Sequence, residues 1–383
     1  MNPEIVITGS GVVSALGFGK QEHLAALRSL RSGIAPVRYL KTELLDFPVG
    51  EVPASDAQML ARLGLDDSVP RTSLLGILAM QEALEEAGLP SGQEPFPLIS
   101  GTTVGGMDMS EKHFPAFTRY HDCGAATDAI SRYFGCFSYA TTLSTACSSA
   151  ANAFIFAANL IRCGRAERVV AGGAECLSNF HLNGFHSLMI LDRENCRPFE
   201  AGRAGLNLGE GAAFIVLETE EAARKRGVRI LGRLTGFGNA CDAFHQTASS
   251  ENGEGAYRAM CQALERAGLA PSEIDYINAH GTGTPNNDAS ESAALRRLFG
   301  DAMPPVSSTK SLTGHTTSAS GAIEAVFCLL ALRYGFVPAQ YGFTTPDPAC
   351  IVPTRGGEKA LRNVLCNSFG FGGNDSSILL SYA

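Results

Sequence analysis

Apolar and polar positions along the chain fall into short runs of two kinds. Residues 4–8, 96–100 and 168–170 are brief, β-branched-rich apolar runs of strand length, whereas 74–87 and 150–161 are long enough for helices. The stretch 150–161 is small and apolar almost throughout, so it predicts a buried helix rather than a surface one. A further strand is expected over Ile274-Asp275-Tyr276-Ile277, and a second buried helix from about Gly321 through Leu332. Strands alternating with helices predict an α/β protein. A faint internal repeat runs through the pattern. In each half a loop leads into a buried helix, near Cys147 and again near His315. Each half then closes on a Gly-rich turn into a strand, at Gly209-Glu210-Gly211 and at Gly372-Gly373-Asn374. The repeat puts a boundary near residue 225, giving halves 1–225 and 226–383.

Composition narrows the picture without naming a chemistry. With 383 residues and 45% hydrophobic content the chain can bury a large core, yet no apolar run approaches the roughly 20 residues of a membrane span. Met1-Asn2-Pro3-Glu4 lacks the basic-then-apolar layout of a signal peptide. The eleven cysteines are odd in number and scattered, which predicts reduced thiols and a cytoplasmic setting. No paired Cys/His spacing suggests a metal site. A net charge of −8 without a basic block argues against nucleic acid as a partner. The Gly9-Ser10-Gly11 stretch looks like a dinucleotide-binding turn, but Ser14 fills the third glycine position and no acidic residue follows about 20 positions on. A tight strand-to-loop turn in the core is the expectation there.

Candidate chemistry centres on Cys147, in Ser144-Thr145-Ala146-Cys147-Ser148-Ser149-Ala150 just ahead of the buried helix. A thiol at a helix N-terminus is expected to gain thiolate character from the unpaired N–H groups and the helix dipole. The alternative is a buried structural cysteine. His280 lies in Asn278-Ala279-His280-Gly281-Thr282-Gly283-Thr284 at a strand's end, and His315 ends Lys310-Ser311-Leu312-Thr313-Gly314-His315 before the second buried helix. Either histidine alone would be a turn or core residue. One thiol and two loop histidines, each framed by small residues, form a catalytic constellation.

These motifs resemble the β-ketoacyl synthases, the decarboxylating condensing enzymes of fatty-acid and polyketide assembly. The resemblance runs nearly end to end. It takes in Val104-Gly105-Gly106, Arg197-Pro198-Phe199, Gly209-Glu210-Gly211-Ala212, Asp242-Ala243-Phe244-His245-Gln246-Thr247 and Asn367-Ser368-Phe369-Gly370-Phe371-Gly372-Gly373-Asn374. It implies a thiolase-like fold, with duplicated βαβαβαββ halves in an αβαβα layering. The N-terminal half would carry the nucleophile and the C-terminal half both histidines. Cys147 would take the acyl group from a thioester, with the backbone N–H groups of Cys147 and Phe371 as oxyanion donors. His280 and His315 would stabilise the enolate left when malonyl-acyl carrier protein loses carbon dioxide. Lys310 would orient the site, supported by Glu324. Thr282, Thr284, Phe369 and Phe371 would contact the pantetheine arm and acyl group, Phe371 also as a gate, and Val104 would tune pocket depth. Asp288 and Glu291 match acidic family positions with a structural part.

The resemblance implies no cofactor beyond the carrier's phosphopantetheine, and acyl carrier protein as the partner. It implies a homodimer, or a heterodimer with a chain-length-factor subunit. The segment between Gly106 and Cys147 is shorter than is usual in the family, which keeps the heterodimer open. Arg203-Ala204-Gly205-Leu206 replaces a more usual Arg-Asp-Gly-Phe. A non-catalytic partner of another ketosynthase would lack the cysteine, and a thiolase would carry Cys-x-Gly where Cys366-Asn367-Ser368 stands. Because carrier proteins are acidic, docking calls for a local basic patch. Arg62, Arg71, Arg162, Arg165 and Arg203 are the candidates.

Overall fold

The computed structural model describes residues 3–65, 69–89, 95–116 and 118–383. The N-terminal half contributes β1 (Ile5–Ser14), β2 (Phe96–Gly101), β3 (Phe137–Leu143), β4 (Arg168–Glu175) and β5 (Gly211–Thr219). The C-terminal half contributes β6 (Gly232–Cys241), β7 (Tyr276–Asn278), β8 (Val306–Ser307), β9 (Asn363–Gly370) and β10 (Asn374–Ser381). Six helices matter for the argument: α1 (Arg71–Glu86), α2 (Ser149–Arg162), α3 (Asn179–Ser187), α4 (Glu254–Ala267), α5 (Pro285–Phe299) and α6 (Ser320–Tyr334).

The strands follow the order β3-β2-β4-β5-β1, then β6-β10-β9-β7-β8. In the first run β1 and β5 are antiparallel, as are β5 and β4, while β4-β2-β3 are parallel. The second run repeats this pairing strand for strand: β6 with β10 and β10 with β9 antiparallel, β9-β7-β8 parallel. A short pairing of Val6 with Arg233 and Ile7 with Gly232 joins the two. Helix α1 packs on β1, β5 and β4 from one outer side, and α4 packs on β6 and β10 from the other. Helices α2 and α6 touch each other between the two sheet halves. This is the layered, duplicated thiolase-like arrangement that the motifs imply.

Burial follows from composition. Residues 320–332 of α6 are buried on every face, as a helix between two sheets must be, and all but Ser320 and Glu324 among them are apolar or glycine. Helix α4 has one sheet beneath it and solvent above. It buries Ala256, Ala259, Met260, Ala263 and Leu264 and turns its Glu and Arg residues outward. Strand β1 is buried along its whole length, and its hydroxyls at Thr8, Ser10 and Ser14 are satisfied by Glu218, Glu86 and His23.

One expectation is overturned here. Gly9 and Gly11 are not in a turn but inside β1, where α1 crosses closely. A Cβ at Gly9 would stand 2.1 Å from the Ala83 carbonyl oxygen, and one at Gly11 2.0 Å from that of Ala79. The glycines are there for helix–strand approach. Among the described residues no helix is long and apolar enough to cross a membrane.

Candidate active site

The chain leaves β3 and makes a sharp turn before α2. Ala146 sits in the left-handed region (φ 53°), a conformation that costs a non-glycine residue about 1–3 kcal/mol and is kept where a side chain must be aimed. Two serines hold the turn. Ser149 Oγ accepts from Thr145 N–H (2.9 Å) and donates to the Ala146 carbonyl (2.6 Å). Ser148 Oγ lies within hydrogen-bond reach of the Thr145 carbonyl (2.7 Å) and of Asn374 Oδ1 (2.8 Å) in the other half. Asn152 and Asn239 also donate to Asn374 Oδ1, at 2.8 and 2.9 Å, so a buried amide cluster pins the nucleophile's turn to the Gly370–Asn374 turn.

Cys147 is 5% exposed. The helix proper starts at Ser149, and Cys147 precedes the cap. Burial pushes its thiol up to about 12, against the charge of Lys310, and Glu175 adds to the rise. Hydrogen bonds from the N–H groups of Phe371 and of Cys147 itself pull the other way. The expected thiolate is therefore a thiol at rest: desolvation outweighs the helix terminus. What survives of the expectation is the aim of those two N–H groups at the sulfur.

His280 stands between β7 and α5 in a loop whose backbone is held by buried side chains. Glu291 on α5 accepts from the N–H groups of His280 (2.9 Å) and Gly281 (2.8 Å). Asp288, one turn earlier, accepts from Thr282 (3.0 Å) and Gly283 (3.3 Å), and from Phe199 N–H (2.8 Å). Lys310 Nζ donates to the His280 carbonyl and to Glu324 Oε1, both at 2.6 Å, with its side chain 1% exposed. Burial raises Glu324 to about 7, with the Lys310 ammonium opposing, and raises Glu291 to about 7, with the loop N–H groups opposing.

His315 is placed by the N-terminal half. Its N–H donates to the Asn207 carbonyl (2.7 Å), and its own carbonyl accepts from Gly209 N–H (2.9 Å). Its Nδ1 pairs with Ser320 Oγ at 3.0 Å. The two imidazoles meet edge to face with centroids 5.3 Å apart. Burial first, then the Lys310 charge, holds both well below the usual histidine range, so both are neutral at physiological pH. His280 Nδ1 is buried without a hydrogen-bond partner.

Cys147, His280, His315, Thr282, Thr284, Phe369 and Phe371 all face one cavity of about 340 Å³. Phe369 packs on His280 (5.6 Å), and the Thr282 and Thr284 hydroxyls touch each other at 2.8 Å. Lys310 and Glu324 lie behind His280, off the wall. Val104 is also off the wall: it is buried, with its N–H on Glu175 Oε1 at 3.2 Å.

Sequence reasoning passed over several residues. Glu175 gathers the hydroxyls of Thr102, Thr103 and Ser318 behind the thiol. Phe185 on α3 stacks on Phe371 at 5.8 Å. Thr247, Ser249 and Asn286 line the mouth. An asparagine within an otherwise apolar stretch, one of two with Asn159, was the available signal for Asn152. Two docking candidates are corrected: Arg71 is buried on Glu210 (2.8 Å) and Asp56 (2.7 Å), and the side chain of Arg203, 5% exposed, pairs with Asp347 and Asp288. Their guanidinium groups satisfy internal carboxylates. Arg62 and Arg165 are exposed, and Arg162 is half-buried over Phe237 at 4.6 Å.

Residues 2–223 match the β-ketoacyl synthase N-terminal domain and residues 231–344 the β-ketoacyl synthase C-terminal domain. The chain is 37% identical over 404 residues to nodulation protein E of Rhizobium meliloti (strain 1021), covering 98% of each. It is 34% identical over 408 residues to 3-oxoacyl-[acyl-carrier-protein] synthase 2 of Coxiella burnetii, again covering 98% of each. Among solved structures it is similar to the ishigamide ketosynthase/chain length factor, with TM-score 0.92, 33% identity and both chains fully covered. It is also similar to a Xenorhabdus doucetiae ketosynthase in complex with its chain length factor, with TM-score 0.86, 32% identity and coverage of 100% and 98%. The motifs, the duplicated fold and these matches agree: the chain belongs to the β-ketoacyl synthase family.

Proposed function

We propose that the protein is a decarboxylating condensing enzyme that extends an acyl chain held on Cys147 with malonyl-acyl carrier protein. The thiol attacks the incoming thioester, the pantetheine thiol leaves with the proton, and the acyl group stays on sulfur. Because Cys147 rests as a thiol, its proton must pass to a base during attack, and the neutral imidazoles on the same cavity wall are the bases at hand. Malonyl thioester then loses carbon dioxide. The enolate carbon attacks the acyl carbonyl, and the Cys147 thiolate departs and is reprotonated.

The N–H groups of Cys147 and Phe371 serve the tetrahedral oxyanion, and His280 and His315 serve the enolate oxygen. Two uncharged donors suit a charge that appears only in the transition state. Lys310 and Glu324 act through the backbone of His280. Thr282, Thr284, Phe369 and the Phe371 gate receive the pantetheine arm and acyl group. In this reading residues 1–225 bring the nucleophile and 226–383 the histidines, and catalysis happens where the halves meet. Val104 backs Glu175 and has no assigned contact with substrate.

The observation that carries the reading is the shared cavity, where one thiol, two neutral imidazoles and two backbone donors converge. Intact-protein mass spectrometry tests it with acyl carrier protein thioesters followed by malonyl carrier protein. An adduct on Cys147 that malonyl discharges as a β-ketoacyl product is the expected result. Cys147→Ala should give neither adduct nor product, and elongation by that variant would overturn the assignment.

A second reading makes this chain the catalytic member of a heterodimer with a chain-length-factor subunit. It is favoured by the full-length similarity to two ketosynthases described together with such a factor. Acylation without turnover, rescued by a partner subunit, would select it. Turnover by a homodimer would exclude a requirement for the partner.

A further inference from the structure

One carboxylate off the cavity wall gathers two segments of chain. Glu175, the last residue of β4, is fully buried. Its Oε1 accepts from Thr102 Oγ1 (2.7 Å) and from Val104 N–H (3.2 Å), both in the loop that follows β2. Its Oε2 accepts from the Thr103 N–H (2.7 Å) and from the Thr103 hydroxyl. The same Oε2 accepts from Ser318 Oγ (2.5 Å) and Thr317 Oγ1 (3.4 Å), in the turn that leads from His315 into α6. These partners are neutral hydroxyl and N–H donors, a shell that suits a carboxylate, which only accepts.

The turn is built of hydroxyls. His315-Thr316-Thr317-Ser318-Ala319-Ser320 carries four of them, and all four residues are buried. They divide between two tasks. Thr317 and Ser318 reach Glu175. Ser320 Oγ meets His315 Nδ1 at 3.0 Å and Thr316 Oγ1 at 3.1 Å. Thr317 lies in the left-handed region (φ 45°), a conformation that a β-branched residue keeps only where its surroundings hold it. Its hydroxyl and that of Ser318, both on one carboxylate oxygen, supply that hold. Gly173, two residues before Glu175, lets the turn come close. A Cβ there would stand 2.9 Å from the Gly101 carbonyl oxygen and 3.3 Å from that of Ser318.

The sheet does not call for an acid at this strand end. Glu175 pairs with Gly211 as Gly370 pairs with Asn374 in the other half, and Gly370 has no side chain.

We propose that Glu175 is a positioning residue for His315. It clamps the Thr317-Ser318 turn to the loop after β2, so that Ser320 Oγ stays on His315 Nδ1 and the ring presents Nε2 to the cavity in one tautomer. Without the clamp the strained turn relaxes, Ser320 leaves Nδ1 and the ring samples both tautomers. The step that suffers is the one that needs a fixed donor at the enolate oxygen. Acyl transfer to Cys147 uses the N–H groups of Cys147 and Phe371, with His280 in place to take the thiol proton, and continues.

The inference rests on the condensing reading in giving His315 the enolate oxygen, and the experiment separates the two. Ser318→Ala removes one hydroxyl from Glu175 and leaves the carboxylate and the histidine intact. Glu175→Gln turns an amide donor toward groups that are themselves donors, and where it fails to fold S318A carries the test. Nitrogen-15 NMR of histidine-labelled protein at neutral pH reads the ring directly, with His315 assigned by the signals lost in His315→Ala. Wild type should show His315 as a single tautomer, and S318A and E175Q should show both. Thr317→Ala should do so less than S318A, since its hydroxyl stands at 3.4 Å from Glu175 rather than 2.5 Å. In S318A the discharge of acyl-Cys147 by malonyl carrier protein should slow about tenfold, with the acylation rate and the KM for malonyl carrier protein close to wild type. A mixture of tautomers in wild type, an unchanged His315 in S318A, or acylation and discharge slowed alike would each overturn the inference. A tautomer change in a protein that does not condense would remove the proposed function and leave the link from Glu175 to His315 standing.

Discussion

In the N-terminal half β1 runs Thr8-Gly9-Ser10-Gly11 beneath α1, and in the C-terminal half β6 runs Thr235-Gly236-Phe237-Gly238 beneath α4. The helices match as closely. Ala79-Met80, Ala83-Leu84-Glu85 and Ala87-Gly88-Leu89 recur as Ala259-Met260, Ala263-Leu264-Glu265 and Ala267-Gly268-Leu269. The contacts agree too: a Cβ at Gly236 would stand 2.1 Å from the Ala263 carbonyl oxygen, the value found for Gly9 against Ala83. The halves part company at the cavity. Aligned on their starts, Ser149 and Ser320, the central helices place Ala153 in one half where the other has Glu324. Ala212 likewise answers to Asp375, and Glu175 at the end of β4 to Gly370 at the end of β9. Where the halves agree they pack, and where they differ they carry titratable groups. The repeated positions form the frame, and at these three differences one half carries an acid where the other has alanine or glycine.

The largest test of that division is the buried pair present in one half alone. Lys310→Ala leaves Glu324 uncompensated next to its unpartnered Oε2 and removes the donor from the His280 carbonyl. A loss of about 3–5 kcal/mol in urea unfolding is expected, with condensation lost as well. Replacing the pair by Met and Leu should recover much of the stability, because buried ion pairs exchange well for apolar groups. It should not recover the activity. Full activity in the apolar double variant would make the pair a packing device like Ala153 and dissolve the contrast.

A smaller effect tests the likeness. Gly9→Ala and Gly236→Ala each push a methyl against a helix carbonyl at 2.1 Å. Each should cost roughly 1–3 kcal/mol, and the two costs should match. Thermal or urea unfolding of both variants decides it. A large cost in one half and none in the other would mean that the repeated sequence does not bear the repeated load.

Legibility in the sequence followed range. Cys147, His280 and His315 each sit in a local motif, and the structure brings all three to one cavity. The buried helices were legible from composition: 150–161 lies within α2, and the run ending at Leu332 lies within α6. Strand β3 was not, because an edge strand of mostly half-buried residues has neither an apolar run nor an alternation to read. The side chains of Arg71 and Arg203 looked like surface charge because their carboxylate partners, Glu210 and Asp347, lie far along the chain. The Cys147 thiol was misjudged for a related reason. A helix terminus is visible in local sequence, and the desolvation that overrides it is a property of the packed whole. The α1 and α4 repeat was present in the letters throughout, and only the sheet pairing shows what it is for.

The finest distinction lies between two buried histidines. His23, in the N-terminal half, has both ring nitrogens engaged, with Ser14 Oγ and the Gly19 carbonyl, each at 2.7 Å. His280 is as deeply buried but has Nδ1 unpartnered at the edge of the cavity. Burial lowers both, His23 to about 4. His23 is satisfied within the frame, whereas the unpartnered nitrogen of His280 is open to the part that the proposed reaction gives it. For His23 the linkage has a definite sign. Below pH 6.5 the unfolded chain binds a proton that the folded chain refuses until about 4, so its contribution is complete above 6.5 and is lost as pH falls. Comparing wild type with His23→Gln by urea unfolding, the stability difference should be constant above pH 6.5. It should move against wild type by at most about 1.4 kcal/mol over the first unit below that. Condensation by His23→Gln should survive at neutral pH, whereas His280→Ala should lose it while acylation of Cys147 remains measurable. A His23 variant that folds normally but fails to condense would put a catalytic part on the frame and undo the separation between the halves.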